Sequence, residues 1–191
     1  MKGNVDILLI SETKLDESFP EGQFNIPGFG KPFRKDRNEF GGGIIVFVRE
    51  DIPSKLISLE KLDIEGIFVE LNFRKKKWLL SCSYNSNKSA IEDHLNALRR
   101  NLDLYSAHYE NMIIIGDFNT DVNQSCMMSF CESYTLSSLI KEPTCYKNPQ
   151  NPSCLDLILT NSPYSFQYSC VIETGLSDYH KMTVTAMKSY L

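Results

Sequence analysis

Asp117 and Asn119 follow directly on the apolar run NMIIIG, at the point where a buried strand would surface. Comparable groups recur at the ends of other apolar runs. Glu12 and Lys14 follow LLIS, Tyr84 and Asn85 follow LLSCS, Ser153 and Asp156 precede LILT, and Ser177, Asp178 and His180 follow VIET. Hydrolysis of a phosphodiester needs charge neutralised on the phosphate, a positioned water and a stabilised leaving oxygen. Carboxylates, amides, hydroxyls and one histidine are the groups that supply these. Mg²⁺ is a hard cation that takes oxygen ligands and keeps several waters, so one or two carboxylates such as Glu12 and Asp178 suffice to seat it. His180 beside Asp156 would be held in one tautomer, with its other nitrogen turned to the phosphate. Each position also has a plainer reading. Gly, Asp and Asn are ordinary turn residues, Glu12 suits a solvated strand end, Tyr84 a core aromatic and Ser153 a turn cap. The ordered repetition of one chemistry favours a site.

The elements that must position these groups follow from the hydrophobic pattern. VDILLIS (5–11) reads as a strand buried on both faces, and GGGIIVFVRE (41–50) as a second, entered through three glycines; both are expected to be central. GIFVELNF (66–73) and WLLSCSY (78–84) predict an antiparallel hairpin with one face half wet. A helix follows, with Ser89 and Glu92 as a capping box and Ile91, Leu95, Leu98, Leu102 and Tyr105 on one face. His94 is expected on its exposed side and His108 near its end. A shorter helix starting near Asn123 or Ser125 would bury Met127, Phe130, Cys131 and Tyr134, and LDLILT (155–160), SCVIET (169–174) and MTVTAM (182–187) read as strands. Strands outnumber helices, which predicts one α/β or α+β domain over 1–191 with helices outside the sheets. The Pro- and Asn-rich stretch 141–154 is a long loop of the kind that carries function. Open sheets of this class bind ligands at the carboxyl ends of their strands.

Composition removes several alternatives. The formal charge of −4, from 24 acidic and 20 basic residues, argues against broad coating of a polyanion, so any nucleic-acid contact must be local. No apolar run approaches the roughly 18 residues of a membrane span, and the amino terminus lacks a signal-peptide cleavage site, which reads as an intracellular protein. The six cysteines show no C-x-x-C spacing and no clustered histidines, so neither a zinc knuckle nor a disulfide framework is expected.

The set LLISETKL, CSYN, IIIGDFN, SCLDLIL and GLSDYHKM, in that order, resembles the endonuclease/exonuclease/phosphatase superfamily, and within it the apurinic-type endonuclease domains of non-LTR (LINE-like) retrotransposons. The resemblance spans almost the whole chain. It implies a four-layered sandwich, two packed mixed β-sheets flanked by helices, with the family's first strand and helix missing and with them a metal-site asparagine that Asn4 lies too near Glu12 to replace. It implies that Glu12 binds the metal, Tyr84 approaches the scissile phosphate, Asp117 aligns or deprotonates the attacking water and Asn119 orients that water and the phosphate. Ser153 and Asp156 match an S-x-x-D motif whose aspartate supports the catalytic histidine, and Asp178 and His180 match the terminal aspartate–histidine motif. Tyr179 intervenes where the family's pattern has histidine directly after aspartate.

The resulting expectation is a Mg²⁺-dependent DNA endonuclease, Mn²⁺ being an alternative ion, that nicks one strand, acts in the nucleus and pairs with a reverse transcriptase domain of a longer parent protein. A phosphatase or phosphodiesterase acting on a small or lipid phosphate is the rival within the superfamily, and a catalytically silent remnant serving as a binding module is the rival outside it. Ser153 and Asn85 are further substrate-binding candidates. Of the basic segments KPFRKDR (31–37) and FRKKK (73–77), the first, through Arg34, Lys35 and Arg37, is the better candidate for backbone phosphate contacts.

Overall fold

A computed structural model of the protein describes residues 5–59, 64–73, 75–87, 90–175, 177 and 179–187. Its centre is a mixed six-stranded sheet. In chain order the strands are β4 (Ser54–Ile57), β5 (Gly66–Phe73), β6 (Lys76–Tyr84), β7 (Asn111–Asp117), β8 (Ser137–Ser138) and β9 (Asp156–Thr160), arranged β4-β5-β6-β7-β9-β8. β5 and β6 form the expected antiparallel hairpin, whereas β6 and β7 run parallel. A parallel pair needs a crossover connection, and α1 (Ile91–Tyr105) supplies it. Ala90 occupies the position before α1; Ser89, expected as its cap, lies outside the described residues. The shorter α2 (Ser125–Ser133) buries Met127, Phe130 and Cys131 of the expected face, while Tyr134 follows the helix and is only half-buried.

The two faces of the central sheet are covered by different partners. Phe68 and Ser81 are in register on one face, and the Phe68 ring lies 6.4 Å from Tyr105 of α1. Trp78, on the opposite face, meets Phe166 edge-on at 6.3 Å. That second face is packed against a further layer of strands, made of β1 (Ile7–Ser11), β2 (Phe33–Lys35) and β3 (Ile44–Val48) in the order β1-β3-β2, and of the antiparallel pair β10 (Phe166–Ile172) and β11 (Met182–Met187). The core between the layers draws on Ile44, Val46 and Val48 from β3 and on Val69, Leu71, Leu80 and Cys82 from the central sheet.

Three expectations are corrected here. The hairpin β5–β6 is not half wet: even its polar members Ser81 and Ser83 are buried, on the face that Phe68 shares with Tyr105 of α1. β1 is not central and buried on both faces; it pairs only with β3 among the described residues and leaves Ile10 43% exposed. β10 starts at Phe166, three residues before the expected run, and ends at Ile172. The stretch 141–154 contains neither helix nor strand and is held by isolated bridges from Cys145 to Ser153 and to His180. Among the described residues no helix is long and apolar enough to cross a membrane.

Candidate active site

Topology brings the candidate residues to one edge. Because β6 and β7 are parallel, both end at the same edge, with Tyr84 in register with Asp117. β9 runs antiparallel to β7 and starts there, with Asp156 in register with Asp117. Glu12 follows the last residue of β1 in the facing layer, and the Tyr84 hydroxyl donates a hydrogen bond to its carboxylate. Two polar ends of one sheet and the end of another therefore meet over Asp117.

Local backbone devices make that meeting possible. Glu12 and Asn119 both adopt the left-handed region, at φ 55° and φ 50°, a conformation that costs energy for any residue but glycine and that is concentrated at functional sites. The glycines before β3 receive the Glu12 segment: Thr13 and Lys14 donate backbone bonds to the carbonyls of Gly43 and Gly42. A Cβ on Gly43 would lie 2.3 Å from the Thr13 Oγ1, so the close approach requires glycine. Gly116 is a second such point, since a Cβ there would lie 1.8 Å from the carbonyl oxygen of Ser83.

Asp117, Asp156 and His180 each place a ligand-capable atom within 4.8 Å of the other two. His180 Nδ1 sits 3.1 Å from Asp156 Oδ2, which leaves Nε2 as the ring nitrogen not engaged by Asp156. The histidine after Tyr179 is thus the one that reaches Asp156. Asp117 is 7% exposed; its Oδ1 accepts the Asn119 N–H at 2.8 Å and its Oδ2 accepts from Asn119 Nδ2 at 3.3 Å. Burial, reinforced by the negative charge of Asp156, pushes the Asp117 carboxyl up to about 7, against the pull of the Asn119 amide and of His180. The hydrogen bond that His180 donates to Asp156 raises the His180 pKa despite desolvation. Desolvation and the bond to Glu12 raise the Tyr84 hydroxyl further above its ordinary value.

This set fits a hard divalent cation. Asp117 and Asp156 lie with His180 as a group able to hold a cation, and Glu12, bonded to Tyr84, stands near enough to add, after burial and Asp156, to the raised Asp117 pKa. Asp178, expected to share in holding the metal, lies outside the described residues.

The remaining candidates are placed as follows. Asn85 is buried, donating its Nδ2 to the Phe118 carbonyl at 2.9 Å, accepting the Asn87 N–H at 3.2 Å and offering its own carbonyl to Asn119 at 2.8 Å. It anchors the loop that carries Asn119. Ser153 exchanges backbone bonds with Cys145, and Cys145 also bridges to His180, so Ser153 belongs to the scaffold under the histidine. Arg34 turns away from the site onto Asp36 and the Phe24 ring, and Lys35 donates to the Ile64 carbonyl. Arg37 alone of the three lies beside Tyr84, bonded to Glu65 at 3.2 Å.

Sequence reasoning missed Thr144 and Glu65. The Thr144 hydroxyl, fully buried, accepts the N–H groups of Leu155 and Asp156 at 3.0 and 3.1 Å, and the Thr144 carbonyl accepts the Lys181 N–H at 2.8 Å, so one residue fixes both Asp156 and the His180 segment. Glu65 accepts the Gly43 N–H and pairs with Arg37. Neither sits in a periodic pattern, and each acts on a partner distant in sequence. His94 is not on an exposed side: it is half-buried with its ring edge-on to Phe118 at 6.0 Å.

A protein-family model described as "Endonuclease-reverse transcriptase" matches residues 78–183. No curated protein matches the sequence. Among solved structures the chain is similar to the endonuclease domain of TRAS1, a telomere-specific non-LTR retrotransposon (TM-score 0.73, 17% identity, covering 96% of this chain and 86% of that one). It is similar also to the 3'-5' exonuclease NExo from Neisseria meningitidis (TM-score 0.74, 13% identity, 98% and 91%) and to an AP endonuclease from Archaeoglobus fulgidus (TM-score 0.68, 14% identity, 96% and 89%). At these identities the likeness is one of fold.

Proposed function

The chain belongs to the endonuclease–reverse transcriptase family, within the endonuclease/exonuclease/phosphatase superfamily of metal-dependent phosphodiesterases, and on that premise we propose that it is a Mg²⁺-dependent DNA endonuclease of retrotransposon type, acting as one domain over residues 1–191. The observation that carries the proposal is the convergence of Asp117, Asp156 and His180 within 4.8 Å at the edge where β6 and β7 end. The family's description suggests a reverse transcriptase as the partner activity in a longer parent protein, and the Neisseria enzyme NExo, solved bound to a product DNA hairpin, suggests DNA as substrate.

The roles follow from the geometry. Asp117, whose carboxyl is raised to about 7, accepts a proton from the attacking water near neutral pH, where a general base is most effective. Asn119 holds both oxygens of Asp117 and so fixes which lone pair faces the water. His180, oriented through Nδ1 by Asp156, offers Nε2 to a non-bridging phosphate oxygen. Tyr84, kept protonated by its raised pKa, donates at the same edge. Glu12, with Asp178 as its proposed companion, would hold Mg²⁺, which when bound neutralises phosphate charge.

Nicking of supercoiled plasmid by the purified chain, with Mg²⁺ and with EDTA, tests the proposal beside Asp117→Ala. Relaxed circles that need Mg²⁺ and disappear with the variant are expected. A folded wild-type chain that leaves the plasmid supercoiled in Mg²⁺ or Mn²⁺ contradicts it.

A further inference from the structure

Glu12 is held by little of its own strand. It follows β1, whose one described neighbour is β3, and it stands exposed at φ 55°. A carboxylate at the end of such a strand frays unless something outside the strand fixes it. The groups that do so trace back to Glu65, the residue before β5, which takes no part in the hydrolytic roles above.

We infer that Glu65 is a positioning residue for the metal-holding carboxylate of Glu12, setting it against Tyr84 and Asp117 by fixing one peptide unit, that between Gly42 and Gly43. This rests on the reading of Glu12 as the holder of Mg²⁺ and adds the device that keeps it in place.

The contacts run through few residues. The Glu65 carboxylate accepts the Gly43 N–H through Oε1 and the Arg37 guanidinium at 3.2 Å through Oε2. The Gly42 carbonyl, in the same peptide unit, accepts the Lys14 N–H at 2.9 Å, and the Gly43 carbonyl accepts the Thr13 N–H at 3.3 Å. In a trans peptide the N–H and C=O point in opposite directions, so Glu65 grips one side of the unit and the segment of Glu12 the other. A charged acceptor makes the stronger hydrogen bond and polarises the peptide, which improves its carbonyl as a partner for Lys14.

Two glycines make that grip necessary. Gly42 and Gly43 have φ of 76° and 88°, and glycines pass between left- and right-handed conformations at little cost, so the unit has no preference of its own to hold it. Glu65 comes so close that a Cβ on Gly42 would lie 2.5 Å from its Oε1. Glu12 and Lys14, each at φ 55°, carry conformations that persist only where the surroundings impose them.

The same residue governs the other side of the site. The Glu65 carbonyl accepts the Tyr84 N–H at 2.9 Å, and the Tyr84 hydroxyl donates to Glu12. The contacts close into a ring, from Glu65 through Gly43, Thr13, Glu12 and Tyr84 and back, that crosses between the two layers of strands twice. Both Glu65 oxygens are engaged and its side chain is 16% exposed, which suits a group that holds others rather than one that takes the cation itself.

Mn²⁺ binding to the DNA-free chain, followed by loss of the electron paramagnetic resonance signal of the free ion, tests the inference apart from cleavage. Glu65→Ala is expected to weaken binding about tenfold, the size of effect common for groups that orient metal ligands. Glu65→Asp, one methylene too short to reach Gly43 from the same backbone, should weaken it as well and serves where the alanine variant does not fold. Glu65→Gln keeps an oxygen for the Gly43 N–H and should recover most of the affinity. Lys35→Met removes a neighbouring tie between the same layers, the bond from the Lys35 ammonium to the Ile64 carbonyl, and is expected to lower the urea midpoint with Mn²⁺ affinity kept. Affinity lost in Glu12→Gln but kept in Glu65→Ala and Glu65→Asp would overturn the inference and leave the metal reading standing. Equal losses in Glu65→Ala, Glu65→Gln and Lys35→Met would also overturn it, since any loosening of the layers would then have the same effect. A wild-type chain that binds no Mn²⁺, or binds it undiminished in Glu12→Gln, would remove the metal reading and the inference with it.

Discussion

Replacing Asp117 by Asn should make the metal-free protein more stable at alkaline pH while abolishing its chemistry. Asp117 is 7% exposed and faces Asp156 across the β7–β9 ladder, and its carboxyl is raised from an ordinary 3.8 to about 7, chiefly by burial and then by Asp156. Because the native pKa lies above the unfolded one, the native state holds the extra proton between those values, and stability falls as pH rises through that window. At about 1.4 kcal/mol per pK unit the upper limit of this loss is about 4 kcal/mol; water entry and relaxation at a site that opens to solvent reduce it to about 2 kcal/mol. His180 acts in the same direction. Its native pKa is raised by Asp156, so its contribution is complete below the unfolded value and is lost as pH rises through the folded one. The assay is urea denaturation in EDTA at intervals from pH 4 to 8.5. The wild-type midpoint should fall with pH, that of Asp117→Asn should fall less, and the two should converge near pH 4, with the variant about 2 kcal/mol the more stable at pH 8. Added Mg²⁺ should stabilise the wild-type chain and the variant at pH 8, since Glu12, its proposed holder, is intact in both and a cation that binds only the native state stabilises by mass action. A variant less stable than the wild type at pH 8, or one with an identical pH slope, would refute the claim that Asp117 carries unfavourable buried charge.

Three further outcomes are expected. Gly116→Ala should cost at least about 3 kcal/mol in urea midpoints, because its Cβ would stand 1.8 Å from the Ser83 carbonyl oxygen and force β6 and β7 apart where they deliver Tyr84 and Asp117. Thr144→Val keeps the shape of a buried side chain but strands the N–H groups of Leu155 and Asp156, so a loss of about 1–3 kcal/mol with reduced nicking is expected, and unchanged stability would show that those amides find other partners. Tyr84→Phe should lower the nicking rate about 10- to 100-fold while changing stability by no more than about 1 kcal/mol, because the hydroxyl bonds only to Glu12 among the described residues and lies at the rim of the core.

Much of the site edge was legible because the apolar runs that make β6 and β7 stop where the polar residues begin, so the sequence position of Tyr84, Asp117 and Asn119 and their place in space coincide. The matching end of β9 was legible for the same reason, through Asp156. What could not be read was pairing at a distance. The run in β1 is as apolar as that in β3, yet β3 lies between two strands while β1 has one described neighbour, and an edge and a centre share one composition. The alternation in GIFVELNF suggested a half-wet face because it records polarity along one strand, whereas burial is set by the layers that cover both faces, Ser81 and Ser83 included. Strands as short as β2, β4 and β8 carry too few residues for a period to show. Thr144 sits in a Pro- and Asn-rich loop where its hydroxyl has no pattern to belong to, although it ties Asp156 to the segment of His180. Arg34 and Lys35 share a basic run with Arg37, and strand alternation with local acids directs their side chains to different places.

The most direct test of the account is a double-mutant cycle on Asp156 and His180, read as the Mg²⁺-dependent single-turnover rate of plasmid nicking. If the 3.1 Å contact makes the two act as one unit, Asp156→Ala and His180→Ala should each lower the rate by about 10³-fold and the double variant should be little worse than either, since residues acting together are not additive. Independent, multiplying losses, or full nicking by His180→Ala, would contradict it.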